Sequence, residues 1–297
     1  MPRTRVADGT ELFYRDWGSG RPVVFVHSML MSSDMWQHQM LHLAEHGYRA
    51  VAYDRRGHGR SDDPGAGYEF DTLADDLAAV LDTLDLTDIT LVGHSMGGGE
   101  VVRYLGRHGD QRVSRIALVG STAPKLDVDP AAGEALLHHL RTGYGQWVTD
   151  NAAASFGDRL PGGDVPQLEK ERTIRDWMGV SLQAAVACTA ANLSADFTPE
   201  MRKIRVPTLV AHGDHDTFAP FQTCGQRSAD LIPDSTLVVY RNASHMLHLS
   251  HRHQLNADLL AFARAQNWDS AARRTPAGGE RALSAAGPFM TGANTCS

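Results

Sequence analysis

The stretch Ile89-Thr90-Leu91-Val92-Gly93-His94-Ser95-Met96-Gly97-Gly98-Gly99 decides the fold, because a buried strand is predicted to meet a helix there across a very short turn. Its centre, Gly93 to Gly97, matches the pattern G-x-S-x-G. In so sharp a turn the residues two positions from the serine must lack side chains, and the hydroxyl is exposed at the amino end of the helix. We therefore predict that Ser95 is a nucleophile; the alternative is a chance pentapeptide in a glycine-rich turn.

Strands and helices alternate on both sides of this turn. Strands are predicted over 12–17, 22–26, 49–53, 89–92, 116–119, 207–211 and 235–240, and helices over 35–46, 71–84, 98–108, 221–231 and 255–265. Strands that alternate with helices of this length form a mostly parallel sheet through right-handed crossovers, with helices on both faces. The predicted fold class is therefore α/β.

The interval between the predicted strand over 116–119 and residue 199 breaks this alternation. It holds Ala-rich helical segments and no convincing strand, so we predict a helical lid over 121–198. The α/β core is then expected to comprise 1–120 and 199–267. Residues 268–297 are rich in Ala, Gly, Arg, Ser and Pro, and this composition predicts a flexible tail.

A serine hydroxyl needs a base that accepts its proton, and the base needs an acid that orients it. The strand over 207–211 runs into His212-Gly213-Asp214-His215-Asp216, and the strand over 235–240 runs towards His245. Carboxyl ends of neighbouring parallel strands meet at one edge of a sheet, where open α/β folds place their sites. Ser95, His245 and one of the two aspartates are therefore expected to meet there.

The sequence resembles the cofactor-free haloperoxidase and arylesterase group of the α/β-hydrolase superfamily. Besides the serine turn, the resemblance includes Asp34-Met35-Trp36-Gln37-His38-Gln39-Met40, Asp54-Arg55-Arg56-Gly57-His58-Gly59-Arg60-Ser61 and Gly98-Gly99-Glu100-Val101-Val102-Arg103-Tyr104. It implies an α/β-hydrolase fold with eight strands and a helical lid, esterase activity without a cofactor, and often a side reaction that makes peracids from hydrogen peroxide. It also implies that Asp216 is the acid, with Asp214 structural.

The same resemblance implies an oxyanion hole made by two backbone N–H groups, those of Met29 and Met96. The group usually has His-Gly-Trp at the first of these positions, whereas this chain has His27-Ser28-Met29. Ser28 adds a hydroxyl near the hole, and Met29 replaces a flat ring by a flexible thioether. This departure favours hydrolysis over efficient peracid formation.

The candidates for substrate contacts surround the same edge of the sheet. They are the polar residues next to the oxyanion hole and the nucleophile and two aromatic residues that either line a pocket or pack in the core: His27, Ser28, His94, Trp147 and Phe218. For His27 a hydrogen bond to neighbouring backbone is the expected role.

Composition excludes several other classes of ligand. The net charge is −7 and no run of basic residues occurs, so neither a nucleic acid nor a membrane surface is an expected partner. Three separated cysteines and histidine sets without matching carboxylates predict neither a disulfide framework nor a metal site. No apolar leader or run of about 18 apolar residues is present, so a cytoplasmic protein is expected, and the resemblance suggests self-association into a homo-oligomer.

The predicted function is a serine hydrolase that cleaves a carboxylic ester or lactone through an acyl-serine intermediate. Three alternatives stay open: a cofactor-free perhydrolase or haloperoxidase with the same triad, a dedicated lactonase or carbon–carbon bond hydrolase of secondary metabolism, and a non-catalytic ligand-binding protein of the same fold. Neither a cofactor nor a metal is expected in any of them.

Overall fold

A computed structural model describes residues 1–162 and 164–265 of the chain. Its eight strands are β1 (Arg3–Arg5), β2 (Glu11–Gly18), β3 (Arg21–Val26), β4 (Tyr48–Tyr53), β5 (Ile89–His94), β6 (Val113–Val119), β7 (Thr208–Gly213) and β8 (Ser235–Tyr240). They form one sheet in the order β1-β2-β4-β3-β5-β6-β7-β8. The pairs β1–β2 and β2–β4 are antiparallel and the others are parallel, so the predicted mostly parallel eight-stranded sheet is confirmed.

The helices come from the segments between these strands. They are α1 (Gln37–Glu45), α2 (Phe70–Thr83), α3 (Met96–His108), α4 (Pro130–Phe156), α5 (Gln167–Gly179), α6 (Leu182–Ser194), α7 (Thr198–Met201), α8 (Arg227–Leu231), α9 (Leu247–Ser250) and α10 (Arg252–Arg264). α1 packs with α10, α2 packs with α3, and the sheet lies between these two pairs. Every residue of β5 and β7 is buried, as expected of parallel strands covered on both faces.

The interval between β6 and β7 contains α4, α5, α6 and α7 and, within its described residues, no strand. α4 packs against both α5 and α6, and a non-helical Gly143 bends α4 near its middle. α4, α5 and α6 contribute residues to the cavity described below. The tail predicted over 268–297 and the last two residues of the predicted core lie outside the described residues.

Two helix boundaries differ from the sequence-based expectation. The predicted helix over 221–231 is a π-helical turn over 222–226 followed by the short α8. Likewise, the predicted helix over 35–46 begins as a 3₁₀ turn over 33–36. Side-chain periodicity does not distinguish these tighter or wider turns from an α-helix.

No helix in the two described ranges is both long enough and apolar enough to span a bilayer.

Candidate active site

Ser95 lies on a strained turn between β5 and α3. Its φ of 55° and ψ of −124° are costly for any residue with a side chain. A Cβ atom on Gly93 would collide with the carbonyl oxygen of Gly97, and one on Gly97 would lie 2.5 Å from the carbonyl oxygen of Val26. Only glycine at both positions lets α3 approach β3 and β5 this closely, and the Ser95 side chain then projects into a cavity.

The three residues expected to form a triad lie within hydrogen-bonding distance of one another. His245 Nε2 lies 2.9 Å from Ser95 Oγ, and His245 Nδ1 lies 2.7 Å from Asp216 Oδ2. Asp216 follows β7 and His245 follows β8, two neighbouring parallel strands. Their meeting therefore follows from the strand order, and all three residues are at most 5% exposed.

Asp216 is held as a carboxylate that orients His245. Burial by itself would raise the pKa of Asp216, but the charge and the hydrogen bond of His245 outweigh it, and the pKa is lowered. The second oxygen, Oδ1, accepts hydrogen bonds from the backbone N–H groups of Phe218 and Ala219, both at 2.9 Å. An ionised acceptor at Oδ2 favours a proton on His245 Nδ1, which leaves Nε2 free to accept the Ser95 proton.

Asp214, the other aspartate of this loop, has different partners. Its Oδ1 lies 2.7 Å from Nδ1 of His215, and its Oδ2 lies 3.6 Å from the guanidinium of Arg241. Asp214 therefore contacts His215 and Arg241 instead of His245.

Two backbone N–H groups close to Ser95 in the chain or in the cavity lining belong to Met96 and Met29. Met96 is the first residue of α3, and the amino end of a helix carries N–H groups without intrahelical acceptors. Met29 follows β3 and lines the same cavity as Ser95. Among the described residues, neither N–H donates a hydrogen bond to another protein group. Both groups are therefore available to an oxygen that develops negative charge on a bound substrate.

The loop that carries Met29 is fixed from behind by His27 and Arg55. The Arg55 N–H donates to His27 Nε2 at 2.8 Å, and His27 Nδ1 donates to the Ser28 carbonyl oxygen at 2.6 Å. The Arg55 side chain donates to the His27 carbonyl oxygen at 2.9 Å and also contacts Glu100. Burial and the charge of Arg55 keep the pKa of His27 well below its usual range, so its ring is neutral.

Arg55 and Glu100 support this loop, although no such role could be predicted for them from the sequence. The available signal was the position of two charged residues, one just after the apolar strand β4 and one in the first turns of α3. Such residues are rarely buried unless they are paired. Their partner, however, is set by tertiary contact and not by sequence spacing.

Two of the five candidates for substrate contacts are placed elsewhere. His27 and His94 are fully buried and do not line the cavity. His27 has the backbone contacts described above, as expected for it. His94 is the last residue of β5; its ring packs against the ring of His245, and its Nε2 donates to the His245 carbonyl oxygen at 2.9 Å. Burial keeps the pKa of His94 well below its usual range.

The other three candidates, Ser28, Trp147 and Phe218, line a cavity of about 140 Å³ over Ser95. Its walls come from the loop after β3, from α4, α5 and α6, and from the segments after β6, β7 and β8. The lining is mainly apolar and includes Met29, Leu30, Leu126, Val128, Leu136, Trp147, Trp177, Leu193, Phe218, Pro220 and Met246. Polar groups are concentrated around the nucleophile and on α6. The arrangement suits a small, uncharged ligand.

The described part of the chain contains no group of three or more His, Cys, Asp or Glu side chains that could hold a metal ion. Three histidines recur at helical spacing along α1 and the residue after it. His38 pairs with Glu169 of α5 at 3.3 Å, and His46 bonds to the carbonyl oxygen of His42.

Comparison with known proteins gives the family. Residues 21–252 match the family model described as alpha/beta hydrolase fold. The chain is 41% identical over 272 residues to the non-heme chloroperoxidase CPO-A1 of Kitasatospora aureofaciens. The aligned residues cover 88% of this chain and 99% of that protein. It is 36% identical over 269 residues to the bifunctional esterase/perhydrolase DCH of Acinetobacter calcoaceticus, covering 87% and 98%.

A solved structure supports the same assignment. The bromoperoxidase from Bacillus anthracis superposes with a TM-score of 0.84 at 31% identity, over 89% of this chain and 99% of that one. The family match over residues 21–252 includes Ser95, Asp216 and His245. The chain therefore belongs to the α/β-hydrolase family, in its group of non-heme haloperoxidase-like enzymes.

Proposed function

We propose that this enzyme hydrolyses carboxylic esters or lactones through an acyl-serine intermediate on Ser95. The observation that carries the proposal is the continuous chain of hydrogen bonds from Ser95 Oγ through His245 to Asp216. The Ser95 end of this series of hydrogen bonds lies at a mostly apolar cavity, close to two backbone N–H groups that have no partner among the described residues. A nucleophile, a base, an oriented acid and donors for an oxyanion are the parts that acyl transfer requires.

The first half of the reaction forms the acyl-enzyme. His245 Nε2 accepts the Ser95 proton as Oγ attacks the substrate carbonyl carbon, and the N–H groups of Met29 and Met96 stabilise the oxyanion. The carbon–oxygen bond to the leaving alcohol then breaks, and the imidazolium gives its proton to that alcohol. Asp216 stays ionised throughout and stabilises the imidazolium.

The second half releases the acid. A water molecule gives a proton to His245 Nε2 and attacks the acyl carbon, and the tetrahedral intermediate uses the same two N–H groups. Collapse of the intermediate returns the proton to Ser95 Oγ and frees the carboxylic acid. The helices of the interval 121–198 act as a lid in this scheme, because α4, α5 and α6 form the wall opposite Ser95 and shield the acyl-enzyme from bulk water.

Peracid formation is the second candidate function, because one relative is named a bifunctional esterase/perhydrolase and another a non-heme chloroperoxidase. Hydrogen peroxide in place of water would attack the same acyl-serine and release a peracid. A free carboxylate is a poor acyl donor for this cavity, since among its described lining residues none is a lysine or arginine and Asp127 is acidic. An ester is therefore the better acyl donor for either reaction.

The test is hydrolysis of a panel of p-nitrophenyl esters and lactones by the wild type, Ser95→Ala and Ser194→Ala, with peracid formation measured in parallel. Ser194 is an exposed serine of α6 that bonds to the Ala191 carbonyl oxygen, so Ser194→Ala is the matched control. We expect the wild type and the control to cleave an ester or lactone and Ser95→Ala to lose most of the rate. Equal activity in all three proteins would refute the Ser95 mechanism, and a peracid rate above the hydrolysis rate would favour the second candidate.

A further inference from the structure

A carboxamide with unused hydrogen-bonding capacity lies in the wall of the cavity. Asn192 of α6 is 7% exposed and lines the cavity, and its Oδ1 accepts a hydrogen bond from Thr122 Oγ1 at 2.9 Å. A carboxamide offers two N–H donors as well as its oxygen. Within the described residues, this contact with Thr122 is the one hydrogen bond that the Asn192 side chain makes.

Three other polar side chains of the cavity lining bond to the backbone. The hydroxyl groups of Ser155, Thr189 and Thr223 donate to the carbonyl oxygens of Asn151, Ala185 and Pro220. Asn192 differs because its one partner is another side chain that also lines the cavity. Apolar neighbours in the lining, among them Leu193, offer the Asn192 amide no further partner, so its N–H groups are available to a bound ligand.

The pair lies close to the reacting atoms. The Thr122 N–H donates to the Ser95 carbonyl oxygen at 3.3 Å, so Thr122 is next to the nucleophile. One turn before Asn192 on α6, Thr189 Oγ1 lies 3.3 Å from the Sδ atom of Met29, in the loop after β3. Residues on one face of α6 therefore contact both the loop that carries Met29 and Thr122. A substrate group within a few atoms of the reacting carbonyl can reach Asn192.

We propose that Asn192 and Thr122 form a polar subsite that selects esters or lactones whose acyl part carries a hydroxyl group. A hydroxyl both donates and accepts, so it pairs with the carboxamide whichever of its two polar atoms faces the cavity. In this proposal the hydroxyl group is on the acyl part, the part that stays on Ser95 through both half-reactions. Asp127 and the absence of lysine and arginine from the described lining make the preferred substituent neutral. This inference rests on the ester hydrolysis proposed above.

The experiment compares kcat/KM for p-nitrophenyl butyrate and p-nitrophenyl 3-hydroxybutyrate, which differ by one hydroxyl. The proteins are the wild type, Asn192→Leu, Thr122→Val and the control Thr223→Val, whose hydroxyl lines the same cavity and is already bonded to Pro220. We expect the wild type and the control to prefer the hydroxylated ester by about tenfold or more. Both subsite variants should bring the ratio of the two kcat/KM values close to one.

The outcomes separate this inference from the proposed function. If the wild type cleaves both esters equally well, or if both subsite variants keep the wild-type ratio, the subsite is wrong and ester hydrolysis stands. If the wild type cleaves neither ester, the subsite proposal fails, and the panel of esters and lactones described above decides the proposed function by itself. The ratio is measured within one protein, so loss of folded enzyme cancels; should Asn192→Leu fail to fold, the ratio in Thr122→Val decides the question alone.

Discussion

The guanidinium of Arg55 and the carboxylate of Glu100 form a fully buried ion pair, with Nη2 2.8 Å from Oε2. Arg55 follows β4 and Glu100 lies on α3, and the same guanidinium donates to the His27 carbonyl oxygen. Burial lowers the pKa of Arg55 to about 10 and raises the pKa of Glu100 well above its usual range. The pair thus joins three segments behind the loop that carries Met29.

Removal of Arg55 alone should be more harmful than removal of the whole pair. Arg55→Met leaves a buried, unpaired carboxyl group, and we expect it to lower the free energy of unfolding by about 3–5 kcal/mol. The double variant with Glu100→Leu should recover much of this loss, because no unpaired group remains. Urea denaturation at pH 7 measures both. Arg107→Met is the control, because the Arg107 ion pair with Asp75 is exposed and its removal should change the midpoint little.

Arg55→Met and the double variant should also lose activity. In both proteins the His27 and Ser28 carbonyl oxygens lose a donor, so the loop that carries Met29 is no longer fixed. If the double variant is as unstable as Arg55→Met, the ion pair is not the source of the effect. If it regains stability and full kcat, the guanidinium does not position the loop.

The strain at Ser95 predicts a stabilising substitution that abolishes activity. Glycine adopts the observed φ of 55° without the penalty of a side chain, so Ser95→Gly should raise the free energy of unfolding by about 1 kcal/mol. Ser95→Ala keeps a Cβ atom and hence the strain, and it serves as the matched control. Urea denaturation of the two inactive proteins gives the comparison. Equal stability of the two would contradict the interpretation that the turn stores strain.

The sequence was sufficient to predict the features that depend on local patterns. The glycines around Ser95, the apolar runs of the strands and the chain order of Ser95, Asp216 and His245 are all local, and parallel strand ends converge whatever their side chains. The structure brings these three residues together accordingly.

Features that depend on tertiary contact could not be predicted in the same way. His94 was expected in the pocket because it adjoins Ser95, but its ring is buried behind the cavity, where it packs against the rings of His245 and His248. Asn192 was not identified at all, because it lies on α6, a helix whose orientation no local pattern determines. Arg55 and Glu100 are likewise 45 positions apart in the chain.

Buried neutral histidines should make the fold sensitive to acid. Burial lowers the pKa of His58 and of His248 to about 3. The unfolded chain binds a proton at each histidine below its ordinary pKa of 6.5, whereas the folded chain does not until about pH 3. The unfolded state therefore binds more protons in this window, and the free energy of unfolding falls as the pH falls from about 6.5 towards 3.

His248→Leu isolates one of these groups. Neither ring nitrogen of His248 has a hydrogen-bond partner among the described residues, so the substitution removes no hydrogen bond. Between pH 7 and pH 5 the variant should lose about 2 kcal/mol less of its free energy of unfolding than the wild type does. Urea denaturation at both pH values measures the difference. An identical loss in the two proteins would mean that His248 is not neutral in the folded state for the reason given.

The two oxygens of Asp216 have different partners, and this difference determines what an asparagine would do there. Oδ1 accepts two backbone N–H groups, from Phe218 and Ala219, whereas Oδ2 faces Nδ1 of His245. An asparagine must place its oxygen where the two N–H groups point, because its NH₂ group cannot accept their hydrogen bonds. Its NH₂ group then faces His245 Nδ1.

Asp216→Asn should therefore force the wrong tautomer on His245. With an N–H donor opposite Nδ1, that nitrogen must accept, the proton moves to Nε2, and the ring can no longer take the proton of Ser95. We expect kcat to fall by about 10⁴-fold with little change in KM, as measured on whichever ester the wild type cleaves best. Asp214→Asn is the matched control in the same loop, and it should stay close to wild type because Asp214 contacts His215 and not His245. Retention of activity by Asp216→Asn to within tenfold, or an equal loss in Asp214→Asn, would show that Asp216 does not set the tautomer of the base.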